Sequence, residues 1–175
     1  MSGAPPDDWD APVETMWQGR FITAQRRGRW EYVGRARGIR ATVILAETAR
    51  GVVLVEQFRV PLGKRCIELP AGLIGDDSAG EEAAVAAARE LEEETGYRAG
   101  TIELIGEFYS SPGMVSESFT LVRARDLERV GPGGGVDGEE IIVHEVPRGE
   151  IGAFLAEQRR RGLAIDVKML ALLAF

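Results

Sequence analysis

Two dense apolar runs joined by a tight link set the terms for this chain. IRATVILAET (39–48) and GVVLVEQFRV (51–60) flank Ala49-Arg50-Gly51. Segments this rich in Val, Ile and Leu read as buried strands of a mixed or antiparallel sheet. Whatever else the chain builds has to pack around them.

The rest of the sequence supplies candidates. Residues 1–15 are rich in Pro and Asp and read as a loose lead-in. Between Phe21 and Val33 aromatic and β-branched residues surround a turn at Arg27-Gly28, which predicts a hairpin. CIELPAGLIGDDSAG predicts a strand and then a glycine-rich loop, and EEAAVAAARELEEET a helix that Gly96 ends. TIELIGEFYSS, ESFTLVRARDL and IIVHEVP return to strand character. GPGGGVDGEE (131–140) is expected to be a flexible surface loop. Two short amphipathic helices, over 148–161 and 166–175, close the chain, the second with Asp166 as its N-cap. This order of strands, one helix, strands and helices predicts an α/β or α+β sandwich.

Length and charge narrow the function. A chain of 175 residues, 45% hydrophobic, makes one globular domain with a modest N-terminal extension. A net charge of −7 argues against a protein built to grip nucleic acid. One cysteine, Cys66, and one histidine, His144, leave no ordinary soft-metal site and no internal disulfide. The start MSGAPPDDWDAP lacks the pattern of a secretory signal, and no apolar run approaches the roughly 20 residues of a membrane span. The expected compartment is a reducing cytoplasm.

The chemistry gathers on the helix. RELEEETGY (89–97) carries four acidic side chains in nine positions. At 3.6 residues per turn Glu90, Glu93 and Glu94 share an arc of about 100°, whereas Ala84, Ala87, Ala88 and Leu91 gather on another face suited to a core. Glu92 points elsewhere. Clustered carboxylates repel, so something positive is required. Arg89, four residues before Glu93, is placed to orient it, and a hard divalent cation such as Mg²⁺ takes carboxylate oxygens together with substrate phosphates. Just upstream, ELPAG offers a sharp glycine turn where backbone carbonyls approach a cation closely. An ordinary solvated acidic face is the competing reading.

The spacing from Gly75 through Glu81 to Arg89, Glu90, Leu91, Glu93, Glu94, Gly96 and Tyr97 resembles the box of the Nudix hydrolases. Gly75 satisfies the spacing of that box, and Gly72 better suits the structural role of its glycine. The resemblance implies an α/β/α sandwich with a mixed sheet spanning 41–175, with residues 1–40 as an N-terminal extension and hairpin that often builds a homodimer. It implies hydrolysis of a nucleoside diphosphate sugar with Mg²⁺ or Mn²⁺, held by the Ala71 carbonyl, Glu90 and Glu94, and by Glu93 directly or through water. SSPGMVSES resembles the loop of the ADP-ribose branch, with Pro112 as its marker and Glu117 contacting substrate or the attacking water. VEQFRVPL also resembles that branch, which implies Arg59 set against the diphosphate, its guanidinium fork suiting phosphate oxygens; a strand-end arginine in a surface pair is the competing reading. Trp17, Phe21, Trp30 and Tyr32 are candidates to stack on adenine, Trp30 first, or are simply core.

Hydrolysis also needs a group to take the proton from water, and a metal-bound carboxylate is a poor one because the cation depresses its basicity. A second acid is expected from a mobile element, and the 131–140 loop is suited to close as a lid. The resemblance implies a loop acid just before the following strand, so Asp137, Glu139 and Glu140 are candidates, Glu139 first. His144 reads as a structural histidine and Cys66 as a small buried hydrophobe. ADP-ribose pyrophosphatase is the leading expectation. GDP-mannose or another nucleotide sugar is the alternative substrate, and a non-catalytic nucleotide-sugar sensor is the alternative of another class.

Overall fold

A computed structural model describes residues 3–75, 81–136 and 138–174. The N-terminal segment forms its own three-stranded antiparallel sheet from β1 (Val13–Gln18), β2 (Ile22–Arg27) and β3 (Trp30–Arg35). The expected hairpin is β2–β3, turning at Gly28 with φ of 55°. The extra strand β1 begins inside the segment read as a loose lead-in. All six of its residues are exposed, so it carries no burial pattern from which a strand is recognised.

The larger sheet has eight strands. They are β4 (Arg40–Glu47), β5 (Val52–Arg59), β6 (Lys64–Glu68), β7 (Ala71–Ile74), β8 (Tyr97–Tyr109), β9 (Ser118–Arg129), β10 (Ile142–Val146) and β11 (Ala164–Ile165). Their order is β11-β6-β5-β4-β9-β8, with β10 on β5 and β7 on β4. β4 runs parallel to β9 and β11 parallel to β6; the other pairs are antiparallel, which makes the sheet mixed. β4 pairs with β7 from Arg40 to Val43 and with β5 only at Ala46 and Glu47. The two central strands therefore separate, and β7 enters the gap. AGLI, within the stretch expected as strand then glycine-rich loop, forms this short strand, which Gly75 ends with φ of 83°.

Both faces of β4 are buried, which is why its sequence does not alternate. Val43 and Leu45 pack with Leu54, Ile67 and Leu121 beneath Phe154 and Leu155 of helix α2 (Ile151–Arg160) and Met169 and Leu172 of the C-terminal segment. Ile44 and Ala46 pack with Val53, Val122 and Ala124 against Ala87 and Leu91 of helix α1 (Ala83–Thr95). The result is the expected α/β sandwich, a mixed sheet with helical segments on either face. The last helical segment is 3-10, Val167–Leu173, and not the expected α-helix. Its buried residues Met169 and Leu172 are three apart, the spacing that aligns on a 3-10 turn. Asp166 caps it, accepting the Lys168 backbone N–H at 2.7 Å. No helix among the described residues is long and apolar enough to cross a membrane.

Candidate active site

The inner face of α1 differs from the sequence expectation. Ala87 and Leu91 are buried as expected, but Ala88 is exposed and Ala86 is buried in its place. The axis is rotated so that the acidic arc overlaps the core-facing arc. Glu94 consequently lies inside, only 5% exposed, while Glu92 pairs outward with Arg98 at 3.0 Å.

A carboxylate so placed needs partners. Glu94 Oε2 accepts the Ala71 N–H at 3.1 Å, yet desolvation, reinforced by Glu90 and Glu139, pushes its pKa up to about 8. Burial also raises the pKa of Glu90, against the pull of Arg89. The Glu90 side chain lies against Gly72, where a Cβ would overlap its Cγ and Cδ. Gly72 is thus the close-approach glycine and Gly75 the left-handed one. Arg89 joins the acids: it lies 3.0 Å from Glu90, 3.1 Å from Glu93 and 3.6 Å from Glu81, and donates to the Leu73 carbonyl at 3.4 Å.

Arg59, Ala71, Arg89, Glu90, Glu93, Glu94, Glu117 and Glu139 all line one cavity of about 540 Å³, opening where β7 enters between the central strands. Trp30 and Pro112 are not among its lining residues; both border a separate cleft of about 180 Å³. Trp30 Nε1 donates to Asp8 at 3.2 Å. Asp137 lies outside the described residues. Glu140 is exposed, with φ of 51°.

Sequence reasoning missed several residues of the cavity. Glu68, 3% exposed, accepts a two-pronged bond from Arg59 at 2.6 and 2.7 Å. Arg35, at the end of β3, donates to Glu117 at 2.6 Å. Lys168 also lines the cavity and pairs with Asp166. The only sequence signal for Glu68 was an acid inside the apolar CIELP; Arg35 had none, because its partner is 82 positions away. His144 Nε2 lies 3.1 Å from buried Glu56. Cys66 is buried, and desolvation pushes its thiol up to about 12.

The 131–140 loop holds no regular element, but it is not free. Gly134 N–H donates to the Glu94 carbonyl at 2.8 Å and Gly135 N–H to that of Glu93 at 3.1 Å. These are carbonyls the end of α1 leaves unpaired, so the loop caps the helix. A Cβ at Gly133 would overlap the backbone at Thr95. The glycines serve close approach, and they bring Glu139 near enough to Glu90 and Glu94 to raise both their pKa values.

Among the described residues no three His, Cys, Asp or Glu side chains converge tightly enough to hold a metal as they stand. Glu90 and Glu93 share Arg89, and Glu94 accepts from the Ala71 N–H. The donor set still suits a hard divalent cation: it is all oxygen, and it includes a carboxylate whose burial is costly without a positive partner.

Comparison with known proteins agrees with this chemistry. Residues 36–164 match the family model of the NUDIX domain. A GDP-mannose pyrophosphatase of Cronobacter sakazakii is 41% identical over 147 residues, covering 78% of this chain and 72% of the relative. An ADP-ribose pyrophosphatase of Bacillus subtilis is 39% identical over 103 residues, covering 58% of this chain and 54% of the relative. The crystal structure of an ADP compounds hydrolase superposes with a TM-score of 0.70 at 22% identity, covering 93% of this chain and 90% of that one.

Proposed function

Because the chain belongs to the Nudix family, we propose that it hydrolyses the diphosphate of a nucleoside diphosphate sugar, foremost ADP-ribose, to AMP and ribose 5-phosphate. The observation that carries this reading is one cavity in which the carboxylates of α1 face Arg35, Arg59 and Glu139. Acids for a cation, guanidinium forks for phosphate oxygens and a separate acid for water are the parts such a hydrolysis needs.

Nudix hydrolases generally use divalent metals, and Mg²⁺ or Mn²⁺ held by Glu90, Glu93, Glu94 and the Ala71 carbonyl would neutralise the diphosphate and acidify a bound water. The protein's own residues do the rest. Arg59, braced by Glu68, binds diphosphate oxygens, and Arg35 binds beside it. Arg89 holds Glu93 in one orientation. Glu139 takes the proton from the attacking water, since it is the described loop acid that faces Glu90 and Glu94. Glu117, fixed by Arg35, contacts the substrate or that water. Trp30 and Pro112 line a different cleft and have no part in this scheme.

GDP-mannose is the second reading, favoured by the 41% identity to the Cronobacter enzyme. A homodimer through the N-terminal sheet fits the apolar side chains that β1 exposes, and a cytoplasmic location fits the lone reduced thiol. The test is a panel of ADP-ribose, GDP-mannose, NADH, UDP-glucose and diadenosine polyphosphates with Mg²⁺ or Mn²⁺, products resolved by chromatography. Cleavage of ADP-ribose to AMP, lost in Glu94→Gln, is expected. Binding without turnover across the panel would identify a sensor instead, and an unchanged rate in Glu94→Gln would remove the acids from the mechanism.

A further inference from the structure

We propose that Arg65 is a positioning residue that anchors the loop carrying Glu139, an inference that rests on the reading of Glu139 as the base. Arg65 stands on β6. Its Nε donates to Glu56 Oε1 at 2.7 Å, while Nη2 donates to the backbone carbonyls of Glu56 at 3.0 Å and Glu140 at 2.9 Å. One guanidinium thus ties a central strand to the residue next to the base.

Three further observations show that this tie is built. Glu56 is 2% exposed, and a carboxylate that deep is held only by its partners: Arg65 from β6 and His144 Nε2, 3.1 Å away, from β10. Glu140 has φ of 51°, a conformation unfavourable for a residue with a Cβ, and its carbonyl accepts from Arg65. The loop is also closed on itself, with Ile141 N–H donating to the Gly134 carbonyl at 3.0 Å and Val136 N–H to Glu139 Oε2 at 3.2 Å.

Glu139 therefore lies between two anchors. Gly134 and Gly135 fasten the near side of the loop to the end of α1, which carries the acids, and Arg65 fastens the far side to the sheet. With Arg65 cut back, the first anchor keeps the loop near the site while the distance from Glu139 to the attacking water becomes variable. Substrate binding, which relies on Arg59 and Arg35, is untouched. The signature is a loss in kcat without a matching change in KM.

The experiment is a double-mutant cycle of Arg65→Met and Glu139→Gln in the full chain, assayed on the substrate that the panel identifies. Glu139→Gln should lower kcat by roughly 10²- to 10⁴-fold. Arg65→Met should lower it by about 10- to 100-fold with KM nearly constant. In the Glu139→Gln background Arg65→Met should cost nothing more, because there is no base left to position. Amide exchange at Gly134, Val136 and Ile141 should quicken in Arg65→Met while the amides of α1 stay protected. Should Arg65→Met unfold, the pair Arg65→Met with Glu56→Gln removes the stranded buried charge and is read the same way. An equal loss in both backgrounds, an unchanged kcat, or a Glu139→Gln enzyme as fast as wild type overturns the proposal. If the wild-type chain cleaves nothing in the panel, the hydrolase reading fails separately, and unchanged loop exchange then refutes the anchoring by itself.

Discussion

A single missing methyl group decides where Glu90 stands. Gly72 lies in a strand with no need for a left-handed backbone, so an alanine there is conformationally free and even gains against the chain entropy of glycine. What alanine does not leave is room, because its Cβ would overlap the Glu90 side chain. Gly72→Ala should therefore fold and melt within about 1 kcal/mol of wild type while turnover drops about 10- to 100-fold, as for a displaced metal-supporting group. Thermal melts run beside the kinetics check it. A variant that melts normally and turns over at the wild-type rate would show that the position of Glu90 does not matter. The sequence favours Gly72 over Gly75 for the structural role without showing what that role consists of. Spacing records where a glycine sits, whereas close approach depends on which side chain arrives from α1.

At the scale of elements, the legible parts are those whose signal is local. Helix α1 ends at Gly96, as its sequence predicts, and the residue adopts the left-handed conformation with φ of 72°. Its inner face was misjudged by the placement of Ala86 and Ala88, since a run of alanines with glutamates gives no sharp apolar stripe and the sheet chooses the rotation. The 131–140 loop holds no regular element, as expected, but its contacts with α1 have no local signal. Its glycines look like freedom in a sequence, and only the end of α1 shows that they permit contact. Strand β1 was invisible because nothing among the described residues covers it: Val13 is 42%, Met16 57% and Trp17 57% exposed. Apolar side chains gathered on one small sheet mark an interaction surface. We expect the chain to sediment at twice its own mass, and Met16→Glu to halve that mass with circular dichroism unchanged. A wild-type chain that sediments as a monomer would leave this sheet without the role proposed for it.

For the whole molecule, the division between what the sequence reveals and what it hides follows contact distance along the chain. Arg89 and Glu93 are four residues apart and were readable; Arg35 meets Glu117 across 82 positions and Arg65 meets Glu140 across 75, and neither pair has a local pattern. Sheet register makes those contacts, through strands whose central members separate to admit β7 and open the cavity. The same architecture couples the site to stability, because Glu94 is buried between α1 and β7 in a chain of net charge −7. Any ion that binds only the folded arrangement must raise the melting temperature. At a hundredfold excess over its dissociation constant the gain is about 2.7 kcal/mol, which for a chain of this size is roughly 5–10 °C. Titrating Mg²⁺ into chelator-treated protein should show that rise in differential scanning calorimetry. Glu94→Gln should abolish it without lowering the melting point in chelator, since the amide fills the same space and no longer buries an ionisable acid. A melting curve that millimolar Mg²⁺ or Mn²⁺ leaves in place would mean that Arg89 and the Ala71 N–H already suffice for the acids of α1, and the hydrolytic role would have to be sought elsewhere in the cavity.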